Sequence, residues 1–385
     1  MRIAIVASHP VQYNSPLFRA LAQRIHLTVF YGHRATTADQ AHAGFGTEFE
    51  WDVDLLSGYA YEFLPNRSSR PELGHFGGVD TPDIGARLRT GNFDAIVLMG
   101  WFLKCYLQAL ASARKYRIPV LVRGDSHLNT PRSAWKRIAK ELAYPNFLRF
   151  FDGALAVGMR NREYWRHYHF PENRIFNAPH CVDNDWFASR ATESARACVR
   201  EKLGIAKDAK VVLFAGKLVP FKRPLDVIAM TKMLMQQGFD LEVLVAGSGP
   251  LANEMIEAAH ASGVRLHMMG FCNQSEMPGA YAASDVLVLP SDGRESWGLV
   301  ANEALACGRP VVLSDAVGCA PDMAAHLGNR IVFQSGDVDS MANCVKQVLT
   351  DPVDQKLVSS VAGRFSLQAA SDGIVNAVAT VTHSQ

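Results

Sequence analysis

The stretch DVLVLPSDGRESWGLVANEALACGRPVVL, Asp285 to Leu313, reads as a strand, a loop, a helix and a second strand. Asp285–Leu289 is a short apolar run without polar alternation, which suits a strand covered on both faces. The segment Pro290–Leu299 leads into a helix with Val300, Ala304 and Leu305 inward. Gly308, after Cys307, is a good helix stop, and Pro310 opens the next apolar run. A strand followed by a covering helix and another buried strand belongs to a parallel sheet with helical crossovers.

The same rhythm extends in both directions. Further apolar runs lie at Arg2–Ala7, Leu27–Tyr31, Ala95–Met99, Pro119–Val122 and Gly153–Val157, then at Lys210–Ala215, Leu241–Ala246 and Val264–Met269. Helical periodicity separates them, as in Leu17–Leu21 and Leu225–Met235. The fold class is therefore α/β. The segment Asn177–Asp183 breaks the rhythm, and strand-like residues resume at Val211. The expected division is a Rossmann-like domain over 1–180, a second over 181–365, and a last helix within 366–385 that packs back on the first. Two such parallel-sheet domains face each other across a cleft at the carboxyl ends of their strands.

Composition narrows the function classes. The chain has 385 residues, 48% hydrophobic and 20% charged, as in a soluble globular protein. No apolar run approaches the roughly 20 residues that span a bilayer. The opening MRIAIVASHP reads as a buried first strand and not as a leader, because its apolar stretch is short and ends at His9-Pro10. Seven scattered cysteines without close pairs read as reduced thiols, so a cytoplasmic location is expected. From Lys104 to Arg174 there are 14 Lys or Arg against 5 Asp or Glu. That excess is either a solvated helix face or a surface approaching anionic lipid or an anionic acceptor, with peripheral contact at the inner face of a membrane under the second reading. Nucleic acid is not an expected partner, since no recognised binding motif accompanies the charge.

The residues that carry chemistry sit after strands. A helix beginning near Gly298-Leu299 offers free N–H groups and a positive dipole end to a phosphate. Glu295 precedes that helix and Glu303 lies more than a turn inside it, so two carboxylates able to accept from vicinal hydroxyls flank a phosphate-binding end. After Phe214-Ala215, Gly216 permits close backbone approach, and Lys217 and Lys222 suit a diphosphate. Gly247 and Gly249 form a tight turn that approaches a ligand, and Phe271 flanks a base. In the first half, His9, Gln12, Tyr13, Trp101 and Asp125 are acceptor candidates. His127 is a candidate acid, base or hydroxyl donor, with Asp125 as its orienting partner. Asp52 with Asp54 and Asp337 with Asp339 have the Asp-x-Asp spacing of some metal sites, but the second pair sits where an Asp caps a helix, and no metal is expected.

In order and spacing, Gly216-Lys217-Leu218 with Lys222-Arg223, Ala246-Gly-Ser-Gly-Pro250 and Glu295-x7-Glu303 resemble the retaining glycosyltransferases of family 4, which have the GT-B fold. The likeness covers roughly Pro179 to Val312. It implies a carboxyl-terminal half for the nucleotide-diphosphate sugar and an amino-terminal half for the acceptor. It further implies Glu303 on the ribose, Glu295 on the donor sugar, Lys217 and Lys222 on the diphosphate, and no required cofactor. The implied acceptor is a glycan, lipid-linked or small-molecule hydroxyl, and the implied setting is cell-surface polysaccharide or glycolipid synthesis. Lys217 replaces a more usual Arg, and His9-Pro-Val-Gln-Tyr-Asn14 replaces a usual Gly-Gly loop. Two rival functions share this architecture: a GT-B nucleotide-sugar epimerase, which needs no acceptor, and a two-lobed binding protein without chemistry.

Overall fold

The computed structural model describes residues 1–37 and 48–383. Its first sheet has seven parallel strands: β1 (Arg2–Ala7), β2 (His26–Tyr31), β3 (Ala60–Phe63), β4 (Ala95–Leu98), β5 (Val120–Arg123), β6 (Gly153–Ala156) and β7 (Ile175–Asn177). Their order is β3-β2-β1-β4-β5-β6-β7. The second sheet has six parallel strands: β8 (Lys210–Ala215), β9 (Leu241–Ala246), β10 (Arg265–Gly270), β11 (Val286–Leu289), β12 (Val311–Ser314) and β13 (Val332–Phe333). Their order, β10-β9-β8-β11-β12-β13, repeats that of the first six strands. Each sheet thus reverses direction once, between β1 and β4 and between β8 and β11. At such a switch point adjacent loops diverge and leave a crevice.

Helices α1 (Asn14–Ala22), α2 (Ile84–Thr90), α3 (Lys104–Lys115), α4 (Ala134–Leu148) and α5 (Met159–His167) accompany the first sheet. The second sheet carries α6 (Asn184–Arg190), α7 (Glu193–Leu203), α8 (Pro224–Gln236), α9 (Ala252–Ser262), α10 (Met277–Ala283), α11 (Leu299–Ala306), α12 (Ala320–Leu327), α13 (Val338–Thr350) and α14 (Gln355–Arg364). The last helix, α15 (Leu367–His383), returns to the first sheet.

Strand β1 shows why these sheets form. Ile3 and Ile5 enter one apolar cluster, and Ala4 and Val6 enter another on the opposite face. Both faces are covered, so every position after the exposed Arg2 is apolar and no alternation survives. Three strands escape the sequence pattern. β3 is an edge strand whose Ala60 and Tyr61 are exposed, β7 has three residues and β13 has two.

The chain passes between the domains twice. The first passage, Ala178 to Asp183, follows β7 and ends where Asp183 caps α6 by accepting from the Trp186 N–H at 3.0 Å. The second joins α14 to α15. The passages touch, because Val182 and Ser366 form a parallel bridge. Arg123, 4% exposed, donates to the carbonyls of Ala178 at 3.3 Å and Pro179 at 3.0 Å. Helix α15 buries Ala370, Ile374, Ala377 and Val378 against Ile3, Leu17 and Val97. A Cβ at Gly373 would stand 1.8 Å from the Asn177 carbonyl, so only glycine lets the helix lie this close to the passage. No helix among the described residues is long and apolar enough to cross a membrane.

Candidate active site

The loops after β8, β9 and β11 form one side of the interdomain crevice. Gly216 ends β8 with φ +145°, a conformation that disfavours side chains. Its carbonyl oxygen would lie 1.8 Å from a Cβ at Gly247, and the Leu218 carbonyl would lie 2.6 Å from a Cβ at Gly249. These two glycines let the loops after β8 and β9 stack backbone on backbone, secured by Leu218 N–H donating to Ser248 O at 2.8 Å. The expected close approach to a ligand is thus in part an approach of loop to loop.

The cations follow. Lys222 and Glu295 form an ion pair, each side chain 13% exposed. The hydroxyl of Ser291 donates to the same carboxylate at 3.2 Å. Burial, followed by the charge of Lys222, lowers the pKa of Lys217. Two ammonium groups and the Glu295 carboxylate are thus gathered at one half-covered loop.

Helix α11 begins beside them. Gly298, its N-cap, has φ +96°, and a Cβ there would stand 2.6 Å from Leu289. The turn therefore needs glycine, and it brings the helix's first N–H groups to the crevice. Inside the helix Glu303 is 1% exposed and accepts the Tyr281 hydroxyl at 2.5 Å. Tyr13, from the first domain, also hydrogen-bonds Glu303. Burial outweighs both hydroxyls and pushes the Glu303 carboxyl up to about 7.

The loop after β1 supplies the opposing wall. Gln12 and Tyr13 line one pocket with Gly216, Lys217, Phe271 and Glu303. Two of the five expected acceptor residues, Gln12 and Tyr13, therefore stand within the expected donor pocket and not apart from it. His9 lies earlier in this loop, with Nδ1 3.0 Å from the Ser8 hydroxyl. The segment 48–54 also reaches across. Phe49 packs on Phe271 with centroids 4.3 Å apart, Trp51 lines the pocket, and the Glu50 carbonyl accepts from Asn273 at 2.7 Å.

This reach explains the Asp-x-Asp pairs. Asp52 accepts from the N–H and hydroxyl of Ser275, and Asp54 from Leu56, Ser57 and the Ser57 hydroxyl. Asp337 caps α13 by accepting from Ser340 N–H at 2.9 Å. Among the described residues no group of three His, Cys, Asp or Glu converges to hold a metal.

One expectation is corrected. Asp125 does not orient His127 by a hydrogen bond; it accepts the hydroxyl of Ser296, across the crevice, at 2.6 Å. His127 is 1% exposed, and neither ring nitrogen has a hydrogen-bond partner among the described residues. Burial, then the guanidinium of Arg160, lowers its pKa, so the imidazole is neutral near pH 7. Trp101 is half-buried beside the loop after β5, where a Cβ at Gly124 would stand 2.5 Å from its ring. Its indole N–H donates to the Tyr144 hydroxyl at 3.1 Å, and its ring packs with Tyr164 and Trp165 in the first-domain core.

Sequence reasoning missed Tyr281, Trp51 and Trp297. Trp297, 3% exposed, donates to Asn302 at 2.9 Å, while Asn302 donates to the His180 carbonyl of the first passage at 3.1 Å. Gly158, just before α5, packs so tightly on Trp297 that a Cβ would stand 2.2 Å from the ring. A tryptophan between the acid and the helix was the available signal, since a large side chain at a helix entry needs somewhere to be buried.

Residues 196–362 match the family model described as Glycosyl transferases group 1. The chain is 35% identical over 185 residues to a D-inositol 3-phosphate glycosyltransferase of Xylanimonas cellulosilytica, covering 46% of this chain and 44% of that protein. It is 29% identical over 249 residues to a GDP-mannose-dependent alpha-(1-6)-phosphatidylinositol monomannoside mannosyltransferase of Mycolicibacterium smegmatis, covering 63% and 62%. The chain spans about half the length of the curated relatives it matches. Among solved structures, Anabaena HepE in complex with UDP superposes with a TM-score of 0.74 at 18% identity, over 99% of this chain and 100% of that one. A sucrose-phosphate synthase from Thermosynechococcus elongatus gives 0.72 at 17%, over the whole of both chains. The fold is the two-domain GT-B architecture expected from the sequence.

Proposed function

We propose that this protein, whose residues 196–362 are a group 1 glycosyltransferase segment, moves a sugar from a nucleotide-diphosphate sugar to a hydroxyl with retention at the anomeric carbon. The observation that supports this most is one pocket at the switch point of the second sheet, lined by Gly216, Lys217, Phe271 and Glu303. Cation, glycine turn, aromatic ring and carboxylate there match diphosphate, backbone approach, base and ribose in turn. Lys217, Lys222 and the α11 end at Gly298-Leu299 take the diphosphate charge, so the reaction requires no metal. Glu303 accepts from the ribose, and Glu295 from the donor sugar.

In the step itself the bond from the anomeric carbon to the phosphate oxygen breaks and a bond to the acceptor oxygen forms. The acceptor proton passes to the departing phosphate. His127, neutral and inside the crevice, donates to a sugar hydroxyl. Closing the domains keeps water from the donor. The names of the inositol-phosphate and phosphatidylinositol relatives support a place in cell-surface glycan or glycolipid synthesis.

A melting-temperature screen with UDP, GDP and ADP and their sugars tests the reading. A cognate nucleotide at 100 times its Kd stabilises by about 2.7 kcal/mol. Release of the nucleoside diphosphate that depends on an added hydroxyl acceptor supports transfer. An altered sugar formed from donor alone, or no response to any nucleotide, overturns it.

A further inference from the structure

Helix α4 (Ala134–Leu148) has two apolar sides, and the first domain covers one of them. On the covered side Leu148 is buried and Tyr144 and Phe147 pack against the core. Lys140 lies on that side too, its ammonium 4.3 Å from the Tyr144 ring centre, 4.6 Å from Tyr164 and 5.4 Å from Tyr168. These contacts fix how the helix is rolled.

On the other side Trp135 is 67% exposed, Ile138 60% and Leu142 74%. At 3.6 residues per turn they fall within roughly 60° of arc, a continuous stripe and not scattered positions. Exposed Arg132 and Arg149 stand beyond its two ends, and Lys136 and Arg137 lie roughly 100° around the helix from its two edges. Phe150, after the helix, is 54% exposed and extends the apolar surface. The helix's one acidic residue, Glu141, lies 2.8 Å from His167 Nε2.

We propose that α4 lies in the interface of an anionic lipid bilayer, with Trp135, Ile138 and Leu142 at the acyl boundary and Arg132 and Arg149 on headgroup phosphates. The stripe is the crest of a single convex helix, which suits a soft, extended apolar layer. Exposed cations at both of its ends match a sheet of negative charge. Pairing with a second copy is disfavoured, because a twofold contact would set the same cations against each other. Aliphatic stems of the Lys and Arg residues reach sideways while their charged ends stay in water.

The position has a consequence for the acceptor. His127 lies seven positions before Ala134, in the loop that enters the crevice. A bilayer under α4 therefore holds the first-domain rim of the crevice at the lipid surface, which suits an acceptor hydroxyl carried on a lipid. This last step rests on the transferase reading; the membrane contact does not.

Co-sedimentation of the full chain with vesicles tests the contact. Vesicles containing phosphatidylglycerol should pellet the protein, those of phosphatidylcholine alone should not, and raised salt should weaken the binding. The double variant Ile138→Glu, Leu142→Glu should lose at least about tenfold in vesicle affinity, since charged groups replace buried ones. It should keep the melting midpoint and the nucleotide-induced shift of the parent. Equal pelleting of parent and variant, binding to neither vesicle, or a dimer in solution that the variant abolishes each overturns the proposal. With vesicle binding present and no nucleotide response in either protein, the transferase reading fails and the membrane contact stands. With both present, transfer to a vesicle-borne acceptor should fall in the variant while transfer to a short-chain soluble one is kept; an equal fall on both overturns the lipid-borne acceptor.

Discussion

Tyr13, in the loop after the first strand of one domain, hydrogen-bonds Glu303, inside a helix of the other. The carboxylate proposed for the donor ribose is thus engaged by a side chain from across the crevice. Under that proposal, a bound nucleotide either shares Glu303 with Tyr13 or displaces it.

Tyr13→Phe distinguishes these outcomes. One hydrogen bond to a charged group contributes about 1.5–3 kcal/mol, so removing a competitor should tighten nucleoside-diphosphate binding by roughly tenfold. Isothermal titration measures this directly. Weaker binding would show instead that Tyr13 contacts the ligand.

The Lys222–Glu295 pair should behave as a unit. Lys222→Ala leaves a mostly buried carboxylate unpaired, and Glu295→Ala does the same to the ammonium. Each single change should lower kcat by several hundredfold, and the double change should cost little more than either. Steady-state kinetics on the three variants decides this, with additive losses counting against a shared role.

Glu303 makes stability depend on pH. Its folded pKa, about 7, lies above that of an unfolded glutamate. The folded state therefore favours the protonated form, and this group's contribution is fully present below about pH 4.3 and is lost as pH rises through 7. Glu303→Gln removes the titration while keeping an oxygen for Tyr281. Between pH 5 and pH 8 its melting midpoint should fall less than the parent's, a difference worth about 3 kcal/mol in stability. Parallel pH profiles would contradict it.

Gly158 should tolerate no side chain. Its backbone is extended, with φ 176°, so the obstacle to alanine is the Trp297 ring and not conformation. Gly158→Ala should destabilise by about 1–3 kcal/mol, as overpacking does. Adding Trp297→Leu should recover part of that loss by making room, which chemical denaturation of the single and double variants would register.

What the sequence disclosed follows from the range of the interactions. Strand β1 was plain because both its faces are buried, and α11 because a strand, a glycine and a helix stop lie within one stretch. β3 was hidden by exposure, and β7 and β13 by lengths of three and two residues. Glu303 was recognisable as an acid in the right helix; its partner Tyr13 was not, since nothing local links residues so far apart in sequence. Asp125 and His127 are near neighbours in the chain, yet Asp125 bonds Ser296 on the other domain. Trp101 ends a motif at a strand's edge, and its ring packs on Tyr164 and Trp165 while covering Gly124, contacts that no local pattern announces.

The two adjoining passages between the domains, bridged at Val182 and Ser366, set how those domains can move. A body hung from one strand can swivel about it. A body hung from two strands side by side, with Arg123 gripping the carbonyls of one, keeps a single easy freedom: folding about the line through both. Opening then becomes a one-dimensional gate, in which Tyr13 leaves Glu303 and Asp125 leaves Ser296 in the same stroke.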